Sequence, residues 1–166
     1  DEMKKLIDVF PRSAHPMGVL SSLTSALTAF NPKAVNVQSK EEMDLAAEML
    51  IAKFSHLCAW TYRKKLGLSI NHGDNSLNYV ENFYKMCFRR PNQEFELDPV
   101  VVGALDKLLI LHADHEQNCS TSTVRMVGSA HTGLFASVSA GISALWGPLP
   151  GGSIPAVIEL LEKIEK

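Results

Sequence analysis

From Met126 to Ile158 the chain runs for 33 residues without a lysine, arginine, aspartate or glutamate. Charged residues make up 20% of the whole sequence, so the gap is local rather than a property of the composition. An uncharged surface of that length tolerates water poorly and calls for cover by protein or lipid. Lipid is excluded by the interruptions: Gly128, His131, Gly133, Pro148, Gly151, Gly152 and several serines leave no apolar run near the roughly 18–20 residues of a membrane span. The expectation is two short helices, buried on most sides inside protein.

A chain of 166 residues matches one ordinary domain, here 1–166, and a domain of that size buries roughly 68–70% of its unfolded surface. Hydrophobic residues at 46% place it among soluble globular chains. Sixteen basic against eighteen acidic side chains give a formal charge of −2, with no basic stripe for nucleic acid and no polybasic run for a membrane. Cys58, Cys87 and Cys119 are odd in number and form no CxxC pair. They read as reduced, buried thiols of a cytoplasmic protein, not as a disulfide framework or a zinc site. The start, DEMKKLIDVF, has no signal-peptide organisation and no initiator methionine, which points to a piece of a longer protein or a trimmed chain.

Periodicity is helical almost throughout, and no strand alternation of useful length occurs. Pro16 opens a helix carrying Val19, Leu20, Leu23, Ala26, Leu27 and Phe30 until Pro32 intervenes. Ser39-Lys40-Glu41-Glu42 reads as a capping box for a helix running to Gly67, with Arg63, Lys64 and Lys65 at its negative end. Further helices are expected at about 77–88, from Asp98-Pro99 to about Asp114, at 119–131, at 134–146, and from Ser153 or Ile154 to the end. The prediction is an all-α fold of about seven helices with no sheet. The helices at 119–131 and 134–146 are lined with Ser, Thr, Ala and Gly, which lets axes approach closely. Composition leaves open whether they form plain core or pack against a second copy.

The densest polar cluster is His112-Ala113-Asp114-His115-Glu116. Two histidines three apart at a helix end fit a metal, a cap on the helix C-terminal carbonyls, or an anion or carbonyl site. No third metal ligand is placed by spacing, and neither HExxH nor HxxEH is present. His15, His56, His72 and His131 are scattered and read as surface or packed residues. Trp60 and Trp146 lie on apolar helix faces and read as core. Gly147-Pro148 and Gly151-Gly152 flank a turn but follow no strand and lack GKS/T, so they make no phosphate loop.

HADHEQNCSTSTVR at 112–125 resembles a segment of the citrate synthase family, bacterial branch, and GPLPGG at 147–152 resembles that family's GPLHGGAN. SAHPM at 13–17 and the long helix after Ser39 fit as well, so the resemblance spans essentially the whole chain. It implies the helical core of a citrate synthase large domain, whose family forms citrate and coenzyme A from acetyl-CoA, oxaloacetate and water. His115 matches the family histidine that hydrogen-bonds oxaloacetate, with Asn118 beside it helping to shape the pocket and His112 in a supporting role. Pro150 falls where the family has its acid/base histidine, and Ser153, Ile154 and Pro155 also depart from the pattern. No catalytic residue and no metal ligand is therefore assigned, and acetyl-CoA enters only as the family's co-substrate.

The resemblance places the aspartate base, a second histidine, the oxaloacetate arginines and most coenzyme A contacts in parts of the family chain with no counterpart in 1–166. It also implies a homodimer through helices near 16–30, 40–66, 119–131 and 134–146. The expected function is a truncated or engineered, catalytically inactive, self-associating helical core. The alternatives are an enzyme subunit whose missing groups arrive from another chain, a relative of 2-methylcitrate synthase, and a passive oxaloacetate binder acting through His115.

Overall fold

The computed structural model describes residues 2–114, 116–151 and 153–164. Among them the fold is all helix: α1 (Glu2–Asp8), α2 (Pro16–Phe30), a 3-10 turn (Pro32–Ala34), α3 (Lys40–Leu66), α4 (Tyr79–Phe88), α5 (Pro99–Leu111), α6 (Cys119–Gly128), α7 (Leu134–Leu145), α8 (Pro148–Gly151) and α9 (Ser153–Ile164). The all-α expectation holds, with nine helices among the described residues instead of about seven. The two additions are short. α1 is fixed by Ile7, which is fully buried, with Met3 and Leu6 against the same core. α8 is a single turn started by proline.

Caps set most boundaries. Asp98 accepts from Val100 N at 2.8 Å and opens α5, and Asn118 accepts from Thr121 N at 2.8 Å and opens α6. The capping box expected at Ser39 is only half made. Ser39 Oγ accepts from Glu42 N, but the Glu42 carboxylate reaches further back to Asn36 N at 3.2 Å, while Ser39 N is taken by Asn36 O. The complete reciprocal box is at Asn78 and Glu81, which is why α4 starts at Tyr79 and not two residues earlier. α5 stops at Leu111 because His112 caps it, its backbone N–H donating to Leu108 O. At Gly67 the backbone turns left-handed (φ 69°), and Leu68 N closes back on Arg63 O to end α3.

α2 lies between α7 and α3, and its apolar positions Val19, Leu20, Leu23 and Leu27 meet Phe135 and Ile142 of α7 with Ala46 and Leu57 of α3. Serine hydroxyls let α2 and α7 come close. Ser21 Oγ donates to Ser139 O at 3.0 Å, Ser139 Oγ returns a bond to Ser21 O at 2.8 Å, and Ser143 Oγ lies 2.8 Å from Ser21 Oγ. These pairings supply the partners that buried hydroxyls require.

A smaller cluster of Ala59, Met86 and Cys87 joins α3 to α4. Beside it Arg63, wholly buried, donates to Ser69 O, Cys87 O and Arg89 O and so ties the end of α4 to α3. Burial holds this guanidinium below its ordinary pKa. Among the described residues no helix is long and apolar enough to cross a membrane.

One expectation is met only in part. α7 buries Phe135, Ser137, Ser139, Gly141 and Ile142, as a charge-free helix should. α6 buries nothing, and Met126, Leu145, Trp146 and Leu149 are exposed. A single chain covers one side of α7 and leaves the rest of the uncharged segment bare. Trp146 is accordingly not a core residue; its ring stacks on His15, centroids 4.9 Å apart.

Candidate functional site

The polar cluster at 112–118 forms the connection between α5 and α6, and the structure folds it into an open pocket of about 630 Å³. Its walls are His112, Ala113, Asp114, Glu116, Gln117, Asn118, Ser120 and Thr121. The C-terminus of α5 and the N-terminus of α6 meet there. His112 Nδ1 donates to Leu108 O at 2.7 Å, so the ring closes the end of α5, the capping role among those its spacing allowed. Asp114 Oδ1 accepts from Glu116 N at 2.9 Å, and Glu116 takes a left-handed backbone (φ 59°). Asn118 N then donates to Glu116 O at 3.1 Å, so the loop is held by its own side chains before α6 begins.

The oxaloacetate contact expected at His115 lies outside the described residues. Asn118 lines the pocket, and its amide oxygen is committed to Thr121 N as the cap of α6. Ser120 and Thr121 are wall residues that the sequence reading did not single out. The signal for them was present, since a capping residue at 118 turns the next three residues toward the helix mouth. In chemical terms the pocket sets the positive end of a ten-residue helix opposite Asp114 and Glu116. Among the described residues no three His, Cys, Asp or Glu side chains converge where a metal could sit.

Pro150 is placed in α8, one turn beyond α7, and does not line this pocket. What fixes that turn is Trp146, the cap of α7, against the start of α2: His15 Nδ1 accepts from Met17 N at 3.2 Å while its ring covers the indole. A Cβ added at Gly18 would lie 3.1 Å from the same indole, so glycine is what lets Trp146 settle there. The SAHPM motif thus anchors the segment that leads to Pro150.

A second feature is an apolar groove of about 360 Å³ along α6 and α7, lined by Ser120, Thr121, Val124, Arg125, Val138, Gly141, Ile142 and Leu145. Its floor depends on Gly141, where a Cβ would stand 2.5 Å from Val124 Cγ2. Gly141 therefore serves close packing between α6 and α7 and leaves a mainly apolar groove, with Arg125 on its wall.

Fold and pocket together define an all-helical domain built around a closely packed helix pair, with a polar site in the loop before that pair. The family profile described as "Citrate synthase, C-terminal domain" matches residues 1–166, and the chain belongs to the citrate synthase family. Citrate synthase 1 of Mycobacterium tuberculosis is 50% identical over 164 residues, which is 99% of this chain and 38% of that protein. The citrate synthase of Corynebacterium glutamicum is 48% identical over 165 residues, again 38% of its length. Among solved structures, the Pyrobaculum aerophilum citrate synthase superposes with a TM-score of 0.83 at 32% identity, over 99% of this chain and 41% of that one. The Thermoplasma acidophilum enzyme, solved in ternary complex with carboxymethyl coenzyme A and oxaloacetate, superposes at 0.85 with 26% identity, over 100% of this chain and 42% of its own. The chain thus spans about two fifths of the length of the relatives it matches.

Proposed function

We propose that residues 1–166 serve as a self-associating helical core of the citrate synthase type, dimerising through α2, α3, α6 and α7, and that the chain alone performs no condensation. One observation carries the reading: Pro150 stands in the GPLPGG turn where the family resemblance calls for an acid/base histidine. Carbon–carbon bond formation from a thioester needs a group that removes a weakly acidic methyl proton and a donor that holds the enolate oxygen. Proline has neither a titratable side chain nor an N–H. A positioned acid or base contributes about 100- to 10,000-fold in rate. Groups that act as a unit do not multiply, so no larger product is claimed. In this reading His115 and Asn118 hold an oxaloacetate-like dicarboxylate without turnover, and acetyl-CoA is not bound tightly.

Surface area calls for cover by further protein, which a second copy would supply. The chain exposes 10960 Å², whereas a compact monomer of its 18.2 kDa exposes about 8,100 Å². The surplus of about 2,800 Å² exceeds the roughly 800 Å² per partner of a standard interface. α6 contributes to it directly, with no buried residue and a mainly apolar groove beside it. Sedimentation velocity across micromolar concentrations is expected to show a dimer, and acetyl-CoA plus oxaloacetate to release no free coenzyme A. Monomer throughout refutes the self-association, and citrate made by the unaltered chain refutes the inactivity.

A second reading, completion by another polypeptide, is favoured by one specific feature: α5 is apolar on two sides and buries no residue. Mixing with a polypeptide that carries the remainder of a family member, then assaying coenzyme A release, separates the two.

A further inference from the structure

Along α3, Met49, Lys53 and Leu57 recur every fourth residue, and so do Ala52, His56 and Trp60, which sets two rows side by side on one face. Met3 of α1 and Leu27 of α2 stand across from that face, and a cleft of about 510 Å³ is left between them. Leu27 and Leu57, both buried, belong to the main core and make its floor, while Met3, Met49 and Trp60 pack on that core half-buried. Ala52 and Lys53 are exposed at its mouth. Small-molecule sites run from roughly 300 to 1,000 Å³ and are mostly apolar with a few polar groups, and this cleft fits on both counts. Trp60 is wall here, its indole N–H donating to Asn71 O at 3.1 Å.

The charge of the lining is one-sided. Lys53 is its lysine, and no aspartate or glutamate lines the cleft among the described residues. On α3 the positions three and four away from Lys53 are Met49, Leu50, His56 and Leu57, so no carboxylate sits where a helix ion pair would form. Among the described residues Lys53 makes no ion pair. His56 is engaged elsewhere: its Nδ1 lies 3.1 Å from Ala52 O, and its Nε2 is 2.8 Å from where a Cβ on Gly73 would stand. The two methionines are unbranched and rotatable, so they adapt to an irregular apolar body. We propose that the cleft between α1, α2 and α3 binds a medium-chain monocarboxylate, with its alkyl tail on Met3, Met49 and Trp60 and its carboxylate at Lys53 Nζ. One flexible ammonium suits one anionic head. A ligand with several phosphates needs more cations than this mouth offers. The inference goes beyond the proposed function, because the cleft shares no lining residue with the groove on α6 and α7 or with the pocket between α5 and α6.

Titration calorimetry of 1–166 with hexanoate, heptanoate and octanoate tests this. One-to-one binding is expected, with Kd under about 1 mM for octanoate. Each added methylene is expected to tighten binding by up to about fourfold. In the NMR spectrum the indole N–H signal of Trp60 should shift and that of Trp146 should stay, the two being assigned with Trp146→Phe. Lys53→Glu, at an exposed position, is expected to leave Tm unchanged and to weaken octanoate at least about fivefold, whereas Lys53→Arg keeps the affinity. Ala52→Phe, which fills the mouth, is expected to abolish saturation. No saturation of the parent in the millimolar range overturns the proposal, and so does 1-octanol binding as tightly as octanoate. A Lys53→Glu protein that binds octanoate like the parent overturns it as well. Octanoate that dissolves a dimer does the same, because the cleft is then part of the self-associating face. A chain that is monomeric throughout yet binds octanoate as described counts against the proposed function only.

Discussion

Adding one methyl group at Gly141 and at Gly103 separates intrinsic helix preference from close packing. A Cβ at Gly141 would stand 2.5 Å from Val124 Cγ2 and 3.5 Å from Ser120 O. Carbon atoms rest at about 3.5–4.0 Å, so about 1 Å must be made by moving α6 or by turning Val124. Turning it is costly, because a valine in a helix has one strongly preferred rotamer. Overpacking of this kind costs about 1–3 kcal/mol, while replacing a mid-helix glycine by alanine returns about 0.8–1.0 kcal/mol. Gly141→Ala is therefore expected to be about 1 kcal/mol less stable than the parent. At Gly103 nothing lies within 4 Å of the added Cβ, so alanine there gains the helix preference alone and stabilises by about 1 kcal/mol.

For a chain of this size the two variants should differ in Tm by about 4–8 °C, with the parent between them. Thermal unfolding followed by circular dichroism measures this, at one fixed concentration because self-association makes Tm concentration-dependent. Val124→Ala on the Gly141→Ala background should recover part of the loss, giving a favourable coupling in the double-mutant cycle. A Gly141→Ala protein as stabilised as Gly103→Ala would show that α6 and α7 are not in close contact, and the account of the groove would fall with it.

Two further outcomes follow from single groups. Asn118→Ala removes the cap of α6 and is expected to cost about 1 kcal/mol, with most of it restored by Asn118→Ser; equal urea midpoints for Asn118→Ala and the parent would contradict that role. Burial pushes the Cys58 thiol up to about 12 and the Cys87 thiol up to about 11, so both stay protonated in the folded chain at pH 8. Iodoacetamide should then label exposed Cys119 first, and the other two only after unfolding; equal rates at Cys87 and Cys119 in the mass spectrum would refute the burial. Because folding raises these thiols above their unfolded values, their contribution to stability is complete below about pH 8.5 and is lost as pH rises toward 11 and 12.

Helix content and most starts were legible because each depends on neighbours in sequence. Asp98-Pro99 and Asn118 carry their own capping geometry, and α5 and α6 begin where those residues put them. Glu42 shows where local reading stops: its spacing from Ser39 fits a capping box, yet a backbone N–H three residues further back competes for the same carboxylate. α1 was missed because what holds it is remote, Ile7 against a core made by α2 and α3. Of the site, the cluster 112–118 was recognisable from its density of polar groups and from family resemblance. The cap that His112 makes on Leu108 O was among the roles its spacing allowed, whereas the left-handed Glu116 was not legible, since it depends on how α5 ends.

The charge-free stretch shows why one chain's burial is not the same as its sequence's demand for burial. If the segment from Met126 to Ile158 had evolved for the interior of this chain alone, α6 and α9 would bury their apolar residues; instead Met126, Val157 and Ile158 are more than half exposed. If it had evolved for water, some of its 33 positions would carry charge, and none does. Both facts are met together when cover comes from outside the described helices. One surface that needs that cover is the groove along α6 and α7, walled by Val124, Val138, Ile142 and Leu145 with Arg125 at its side. On the proposed reading, a second copy of the same chain supplies that cover through α6 and α7. Leu145→Asp, at an exposed position on that groove, is then expected to shift sedimentation from dimer to monomer, and a dimer that persists unchanged would refute the assignment.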